Sequence, residues 1–276
     1  MPQDRCPGKG VFHGAASHGD RGEEVSDRVL VQVAGGILTA TLNRADKRNA
    51  IDTAMIDALV AALERADLDA GVRVVAVRGA GPDFCAGMDL NELLASADRT
   101  LEQNRQAALH FAQVFLRMRK LPKPIVALVQ GRALAGGCGL ATACDLILAT
   151  ESARFGYPEV QRGFVPAIVM TMLRRAVGEK IAFDLAATGR LLDGIEAAAV
   201  GLVSRVYEDA DFEEQAAEVL RVLAEASPSA LAFTKQQFYQ LDGLSFDEGL
   251  RLGADVNAVS RSTPDFRAAL SAFLKK

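Results

Sequence analysis

The sequence L-V-Q-G-R-A-L-A-G-G-C-G-L-A-T-A-C-D-L-I-L, from Leu128 to Leu148, carries the clearest structural pattern in the chain. An apolar run ends just before Gly131, a segment of small residues follows, and a second apolar run begins after Asp145. This order is typical of a strand, a glycine turn, a short helix and a second strand. Short apolar strands joined by helices predict an α/β fold with parallel pairing.

Three glycines in this stretch, Gly136, Gly137 and Gly139, allow two interpretations. Without side chains they let the backbone approach a ligand closely, and the first free N–H groups of a helix are donors to an anion. The same glycines would also suit a turn in which a helix and a strand pack tightly without a ligand. A second donor loop upstream and a carboxylate downstream favour a binding site.

The upstream loop is D-F-C-A-G-M-D-L, from Asp83 to Leu90. It follows the valine-rich strand predicted from Val72 to Val77 and leads into a helix beginning near Asp89, so its backbone N–H groups could face a ligand. The downstream carboxylate is Glu159, which follows a proline. Its neighbours Phe155, Tyr157, Val160 and Phe164 would raise its pKa by desolvation, although the sequence is equally consistent with a carboxylate on a surface loop.

The remaining patterns divide the chain into three parts. We predict a mobile N-terminal tail at residues 1–25, an α/β core at residues 26–190 and a helical region at residues 191–276 that packs on other subunits. The core would open with two strands joined by a hairpin at Gly35-Gly36, followed by a helix capped by Asp52 or Thr53. Beyond Gly178 the chain is predicted to be almost wholly helical.

The composition is typical of a soluble globular protein and disfavours several classes of partner. The chain has 276 residues, of which 50% are hydrophobic and 24% charged, so it can bury a full core. Its net charge of -4 gives no general attraction to nucleic acid or to an acidic membrane. No apolar run approaches the roughly 20 residues that span a bilayer. We therefore expect neither nucleic acid nor a membrane as a partner.

Location and metal content can also be predicted. The segment from Met1 to Glu24 has no apolar core of a secretory signal, which favours a cytoplasmic location. The four cysteines have no paired spacing, and no pair of histidines lies near Cys138 and Cys144. We therefore expect reduced, mostly buried thiols and no metal site.

Several motifs, taken together, resemble the enoyl-CoA hydratase/isomerase (crotonase) family. The resemblance covers residues 28–276 in the family's order and spacing. The motifs are L-N-R-A-D-K-R-N-A-I-D (Leu42 to Asp52), F-C-A-G-M-D-L (Phe84 to Leu90), G-R-A-L-A-G-G-C-G-L-A-T-A-C-D-L (Gly131 to Leu146), F-G-Y-P-E-V (Phe155 to Val160) and the terminal S-T-P-D-F-R-A-A-L-S-A-F-L-K-K.

The resemblance implies a crotonase-like spiral of β-β-α units followed by a C-terminal helical trimerisation region, assembled as a homotrimer or homohexamer. It also implies an acyl-CoA thioester substrate, with coenzyme A entering as part of the substrate and no separate cofactor. The N–H groups of Met88 and Gly136 would form an oxyanion hole, and Glu159 would be the catalytic carboxylate. The CoA and substrate site would include Lys47, Arg48, Ala50, Ala86, Asp89, Leu90, Leu134 and Gly137, together with Phe273 and Lys276 reaching the CoA of a neighbouring subunit.

Elementary chemistry agrees with these implied roles. A thioester acidifies its α-carbon only if the enolate oxygen is stabilised as charge develops there. Two preorganised N–H donors can do this, each contributing roughly 2.7–4 kcal/mol in comparable sites. Lys47 and Arg48 could supply cations for the phosphates of the ligand.

The chain departs from the family pattern at Gly139. Family hydratases commonly carry a glutamate there and a second at the position of Glu159. Adding water across a double bond can use two carboxylates, whereas shifting a double bond needs one base. The single glutamate is therefore compatible with a Δ3-Δ2-enoyl-CoA isomerase. The downstream segment nevertheless resembles bacterial methylglutaconyl-type hydratases, so hydration of a 2-enoyl-CoA is the preferred prediction.

Other interpretations are less favoured. Gly139 also suggests an acyl-CoA-binding homologue without turnover. His110, the one histidine within the predicted fold, is interpreted as a structural residue on a helix. A phosphate-binding nucleotide module is disfavoured because neither G-x-x-x-x-G-K-[ST] nor G-x-G-x-x-G occurs in the glycine segment.

Overall fold

The structure, a computed structural model, describes residues 24–275, with side chains from residue 27 onward. The tail predicted at residues 1–25 thus lies outside the described residues except for its end, which enters the first strand. The strands are β1 Glu24–Ser26, β2 Val29–Ala34, β3 Ile37–Leu42, β4 Val74–Gly79, β5 Ile125–Val129, β6 Arg132–Leu134, β7 Leu146–Thr150, β8 Arg154–Gly156, β9 Leu191–Asp193 and β10 Arg205–Tyr207. The α-helices are α1 Thr53–Leu68, α2 Leu90–Ala95, α3 Leu101–Lys120, α4 Gly136–Thr142, α5 Met170–Thr188, α6 Gly194–Ala199, α7 Phe212–Glu225, α8 Pro228–Gln240, α9 Phe246–Ser260 and α10 Pro264–Phe273.

The larger sheet has the strand order β1-β2-β3-β4-β5-β7-β10. Its first three strands are antiparallel neighbours, and the hairpin between β2 and β3 turns at Gly35-Gly36 as predicted. From β3 to β10 every pairing is parallel. Parallel neighbours need crossover connections, which here include α1, α3 and α4. Because parallel strands end at the same edge of a sheet, the loops after β4 and β5 are brought close together.

Helices cover both faces of this sheet, which explains why β4 and β5 are apolar almost throughout. Val75 and Val77 point into the main core with residues of α1, α3, α4 and α5. Val74 and Ala76 point to the opposite face and pack with α7, whose buried side chains there include Phe212. The period of two along each strand thus places alternate residues in two separate apolar clusters.

A second, three-stranded sheet lies where the central motif leaves β5. It has the order β6-β8-β9, with β6 and β8 parallel and β8 and β9 antiparallel. Leu134 of β6 is paired with Gly156 of β8. This register brings the start of α4, directly after β6, next to the segment that follows β8.

The predicted α/β class and the C-terminal helices are confirmed, but the expectation of an almost wholly helical chain beyond Gly178 is wrong at two places. β9 pairs with β8, and β10 adds a parallel strand beside β7. Each contains three residues, which is too few to show a period of two in the sequence. The predicted boundary at residue 190 is not tested, although both strands after it join core sheets.

The helices near the C-terminus start where the sequence predicts and bury little of their apolar surface. Ser227 caps α8 and Thr263 caps α10, each directly before a proline. No side chain of α9 or α10 is buried. Across residues 24–275, none of the helices combines the length and apolarity needed to cross a membrane.

Candidate active site

The two glycine-bearing loops lie side by side. The amide of Cys85 donates to the carbonyl of Arg132 at 2.9 Å, and the amide of Leu134 donates to the carbonyl of Cys85 at 2.9 Å. Helix α4 can approach this loop because residue 137 has no side chain. A Cβ on Gly137 would lie 2.4 Å from the carbonyl oxygen of Cys85. Gly137 is therefore explained by close packing of α4 against the upstream loop.

The loop after β3 holds the upstream loop from its other side. The amide of Ile51 donates to the carbonyl of Gly87, and the amide of Asp89 donates to the carbonyl of Ile51, both at 2.8 Å. Ile51 and Met88 thus form a parallel bridge. In such a bridge the residues flanking Met88 make the hydrogen bonds, so the N–H of Met88 points away from Ile51. That N–H has no acceptor within residues 24–275.

Gly136 supplies a second free backbone donor. It is the first residue of α4, and the amides on either side of the turn are engaged: Ala135 donates to the carbonyl of Gly156 at 2.8 Å, and Gly139 to that of Ala135 at 2.9 Å. The N–H of Gly136 itself has no acceptor in the described part of the chain. Ala135 has φ 51° and ψ -125°, a strained conformation for a residue with a side chain.

The two free N–H groups belong to neighbouring parts of the structure. The Cγ of Met88 lies 3.6 Å from the position that a Cβ on Gly136 would occupy, and the ring of Phe111 lies at a similar distance. Unused backbone donors near apolar side chains are costly unless a ligand or water accepts from them. The arrangement can therefore bind a carbonyl oxygen or an oxyanion.

Glu159 is the carboxylate predicted for the site. It lies in a short 3-10 helix, Pro158–Arg162, just after β8, and only 8% of its surface is exposed. Its Oε2 is buried and has no hydrogen-bond partner among the described residues. Burial raises the pKa of Glu159, while its own backbone N–H and the charge of Arg162 act in the opposite direction. The prediction of a desolvated carboxylate is supported, and the surface-loop alternative is excluded.

The segment carrying Glu159 is bound to both ends of α4. At the start of the helix, the carbonyl of Gly156 accepts from Ala135. At its end, the hydroxyls of Tyr157 and Thr142 share a hydrogen bond of 2.9 Å, and Thr142 also donates to the carbonyl of Cys138. Tyr157 is completely buried. The carboxylate and the N–H of Gly136 are thus held on mutually braced elements.

Position 139 is filled by a neighbour. A Cβ on Gly139 would lie 2.1 Å from Cγ1 and 2.7 Å from Cβ of Val169. Both distances are far below a normal contact, so Val169 occupies the space that a side chain at position 139 would need. The sequence gives no local signal of this contact.

Two polar residues not predicted from the sequence as site residues, Asn49 and Arg44, hold the loop after β3. Asn49 is completely buried, donates to the carbonyls of Ala80 and Asp83, and accepts from the amide of Arg44. Its φ of 54° is tolerated better by asparagine than by most residues. The motif L-N-R-A-D-K-R-N-A contains this signal, because asparagine is enriched at such positions.

Arg44 links the same loop to α1 and α2. Its guanidinium donates to the carbonyl of Ala50 and to the carboxylate of Asp89, and lies 3.4 Å from Asp52. Burial alone would raise the pKa of Asp89, but the hydrogen bonds from Arg44 and from the amides that Asp89 caps lower it. The Asp89 side chain is thus engaged in holding these loops, and its predicted place along the CoA path stays a prediction.

The structure brings most predicted binding residues together around these loops. Lys47 and Arg48 are exposed, and the Nε of Arg48 lies 3.9 Å from the carboxylate of Asp83. Phe273 is 74% exposed on α10, so its proposed contact would have to be with another subunit. Lys276 lies outside the described residues. The others occupy the walls of the loops: Ala50, Ala86 and Leu134 are half-buried, and Leu90 is exposed at the start of α2.

The thiols and the histidine are given no part in the proposed chemistry. Cys85, Cys138 and Cys144 are free and buried. Burial raises the pKa of Cys85 to about 12 and that of Cys138 to about 11, so neither is a thiolate at neutral pH. His110 pairs with Asp57 at 2.9 Å, between α3 and α1. Within the described residues, no group of three or more His, Cys, Asp or Glu is placed to hold a metal ion.

Comparison with known proteins identifies the family of this chain and agrees with its fold. A family model described as enoyl-CoA hydratase/isomerase matches residues 32–276. A protein of Thermus thermophilus whose name places it among the enoyl-CoA hydratases is 41% identical over 248 residues, which cover 90% of this chain and 98% of that protein. The 2,3-dehydroadipyl-CoA hydratase of Escherichia coli is 35% identical over 243 residues, or 87% of this chain and 92% of the relative.

Solved structures of similar proteins share this fold. The crystal structure of an enoyl-CoA hydratase from Mycobacterium smegmatis superposes with a TM-score of 0.86 at 30% identity, covering 91% of this chain and 97% of the other. The chain belongs to the enoyl-CoA hydratase/isomerase family.

Proposed function

We propose that this protein adds water to a 2-enoyl-CoA thioester. The observation that carries the proposal is the carboxyl oxygen of Glu159, which is buried without a partner in the described part of the chain and is held on a segment braced to the helix that begins with Gly136. In this proposal the N–H groups of Met88 and Gly136 bind the thioester oxygen. Relatives named as enoyl-CoA hydratases support the choice of hydration.

The proposed reaction uses Glu159 twice. As a carboxylate it takes a proton from water while the oxygen of that water bonds to C3 of the substrate. The electron pair of the C2–C3 double bond moves toward the thioester, and the resulting enolate oxygen accepts hydrogen bonds from Met88 and Gly136. Protonated Glu159 then gives its proton to C2, which restores the carboxylate and completes the addition of one water molecule.

The CoA portion would bind across the loops after β3 and β4. Lys47 and Arg48 would pair with its phosphates, and Ala50, Ala86, Asp89 and Leu90 would line its path. The remaining proposed contacts are Leu134 and Gly137 near the acyl group, and Phe273 and Lys276 from a neighbouring subunit of a homotrimer or homohexamer. Coenzyme A enters with the substrate, and no separate cofactor takes part.

A double-bond shift is the second candidate, favoured by the lack of a side chain at Gly139. With Glu159 as the single carboxylate, a Δ3-enoyl-CoA could lose a proton from C2 and regain it at C4. The oxyanion donors would stabilise the same kind of enolate. The two reactions differ in whether water becomes part of the product.

Four substrates separate these candidates: crotonyl-CoA, 3-methylglutaconyl-CoA, 2,3-dehydroadipyl-CoA and 3-hexenoyl-CoA. Hydration removes the absorbance of the conjugated thioester, whereas isomerisation of 3-hexenoyl-CoA creates it. We expect loss of absorbance with at least one conjugated substrate. If absorbance only appears with 3-hexenoyl-CoA, the protein is an isomerase; if no substrate reacts or exchanges its α-proton, the enzymatic proposal is wrong.

Substitution of the carboxylate tests its role. Glu159→Gln should lower the rate by about 100- to 10,000-fold, because general acid–base catalysis by one group contributes that much. Glu208→Gln changes an exposed glutamate and serves as the matched control. Because Glu159 must be ionised to accept a proton and its pKa is raised by burial, activity should fall on the acid side at a pH above that of an ordinary glutamate.

A further inference from the structure

Val169 and Gly139 form a complementary pair on one side of α4. Gly139 lies three residues after Gly136 on α4, so the two share one face of the helix. The space beside Gly139 is taken by Val169, whose Cγ1 would lie 2.1 Å from a Cβ at position 139. Val169 is only 3% exposed, so this space is inside the protein.

Val169 is held firmly in that place. It is the residue directly before α5, and its carbonyl accepts from the amides of Met172 and Leu173 at 3.1 and 3.0 Å. A valine has few rotamers, and here its Cβ as well as its Cγ1 opposes position 139, at 2.7 Å. Rotation of the side chain alone would not open the space.

We propose that Val169 determines the reaction specificity of the site by excluding a second carboxylate from α4. The proposal rests on the function proposed above. With Val169 in place, position 139 accepts only glycine, and the wall beside Gly136 is apolar. Glu159 then carries out both proton transfers, from water and to C2. No second ionisable group at position 139 orients the water.

This has a measurable consequence. Exchange of an α-proton of a bound acyl-CoA needs one carboxylate and the oxyanion donors, whereas hydration also needs an oriented water. In the wild-type protein, hydration of a 2-enoyl-CoA should therefore be slow relative to exchange of the α-proton of a bound acyl-CoA. Its hydration rate should depend on a single ionisation on the acid side.

The test replaces both members of the pair. Gly139→Glu combined with Val169→Gly removes both opposing carbon atoms, and glycine is tolerated at the residue before a helix. For each variant, the rate of hydration of crotonyl-CoA is divided by the rate of α-proton exchange of butyryl-CoA in D2O. We expect the hydration-to-exchange ratio to rise at least about 10-fold over Val169→Gly alone, with a second ionisation in the pH profile.

Three matched variants isolate the cause. Gly139→Gln with Val169→Gly has the same shape without the second ionisation and should not show the new pH dependence. Two further variants keep a carbon atom of residue 169 within 2.7 Å of the Cβ at position 139: Gly139→Glu alone, and Gly139→Glu with Val169→Ala. Both should unfold at a lower temperature than Gly139→Glu with Val169→Gly. Thermal unfolding and exchange report on folding separately from hydration.

Failure of this proposal can be distinguished from failure of the proposed function. If Gly139→Glu alone unfolds at the wild-type temperature, Val169 does not exclude a side chain and the proposal is overturned. It is also overturned if the double variant folds and exchanges protons but keeps the wild-type ratio and pH profile. If the wild type catalyses neither exchange nor hydration, it is the proposed function that fails.

Discussion

Glu159 combines two properties that conflict within a single residue. Its carboxyl oxygen is buried without a partner among the described residues, which destabilises the folded state when the group is ionised. The same lack of a partner leaves the oxygen available to water or to a substrate carbon. A raised pKa also brings the acid form closer to neutral pH, where a proton donor is useful.

This conflict predicts that Glu159→Gln stabilises the protein at pH 8. The folded-state pKa is raised above the ordinary value of 4.5, so the wild type gains stability as the pH falls through the folded pKa and has gained all of it below 4.5. The glutamine variant lacks this gain. The free energy of unfolding of Glu159→Gln should exceed that of the wild type by about 1 kcal/mol at pH 8. This difference, measured by urea unfolding, should shrink toward pH 4. Glu208→Gln should change little, and a pH-independent difference would contradict the prediction.

The sequence reveals Glu159 but not the contacts that define its surroundings. The desolvation was predicted correctly, and the two aromatic residues that precede Glu159, Phe155 and Tyr157, are completely buried. The predicted contribution of Phe164 is not supported, because its side chain is 46% exposed. Val169 meets Gly139 through tertiary packing, and neither residue has a local pattern that indicates the other. Asn49 was missed for a different reason: its positive φ and buried amide have a recognisable signal, but it lies in a loop selected for its cations.

At the scale of elements, the key feature is that α4 is tied to the Glu159 segment at both ends. A helix of seven residues has little stability of its own. The hydrogen bond from Ala135 to Gly156 holds its first turn, and that between Tyr157 and Thr142 holds its last. These ties fix the N–H of Gly136 relative to the carboxylate, so misplacement of one element would affect both partners in the proposed reaction.

Tyr157→Phe should therefore act on turnover more than on binding. It removes the hydroxyl from the tie but keeps the buried ring. We expect kcat to fall about 10-fold with KM little changed, because small errors in placement are expensive in catalysis, and stability to fall by about 1 kcal/mol. Steady-state kinetics and urea unfolding measure the two effects.

Tyr207→Phe is the matched control, since Tyr207 lies on β10 and its hydroxyl has no partner among the described residues. A double variant, Tyr157→Phe with Thr142→Val, should lose little more in kcat than the single variant if the two hydroxyls act together. Equal losses in kcat for the Tyr157 and Tyr207 variants would show that the tie has no positioning role.

The helices and short strands near the C-terminus also show which elements a local sequence pattern can predict. Helix caps and proline starts located the C-terminal helices closely, because these signals are local. β9 and β10 were missed because a strand of three residues has no periodicity, and its identity comes from partners 37 and 57 residues away in the register Phe155↔Leu192 and Leu148↔Arg205. Such pairings are tertiary properties.

At the scale of the molecule, the C-terminal helices differ sharply in how they join the core. α8 is anchored by polar contacts: Lys235 donates to Asp145 at 2.7 Å, and the hydroxyl of Tyr239 donates to the same carboxylate at 2.7 Å. α9 and α10 bury no side chain in the single chain. Their exposed apolar residues include Phe246, Leu250, Phe273 and, directly after α10, Leu274.

Exposed apolar side chains on two successive helices agree with the subunit interface that the family resemblance implies. We expect the protein to sediment as a trimer or hexamer and Leu250→Glu, on α9, to shift it toward monomer, because a buried charge without a partner opposes association. Leu68→Glu is the matched control: Leu68 lies on α1 rather than on α9 or α10 and is 87% exposed, whereas Leu250 is 61% exposed. Analytical ultracentrifugation at several protein concentrations measures both. A wild-type monomer at all concentrations, or equal effects of the two substitutions, would refute an interface on α9.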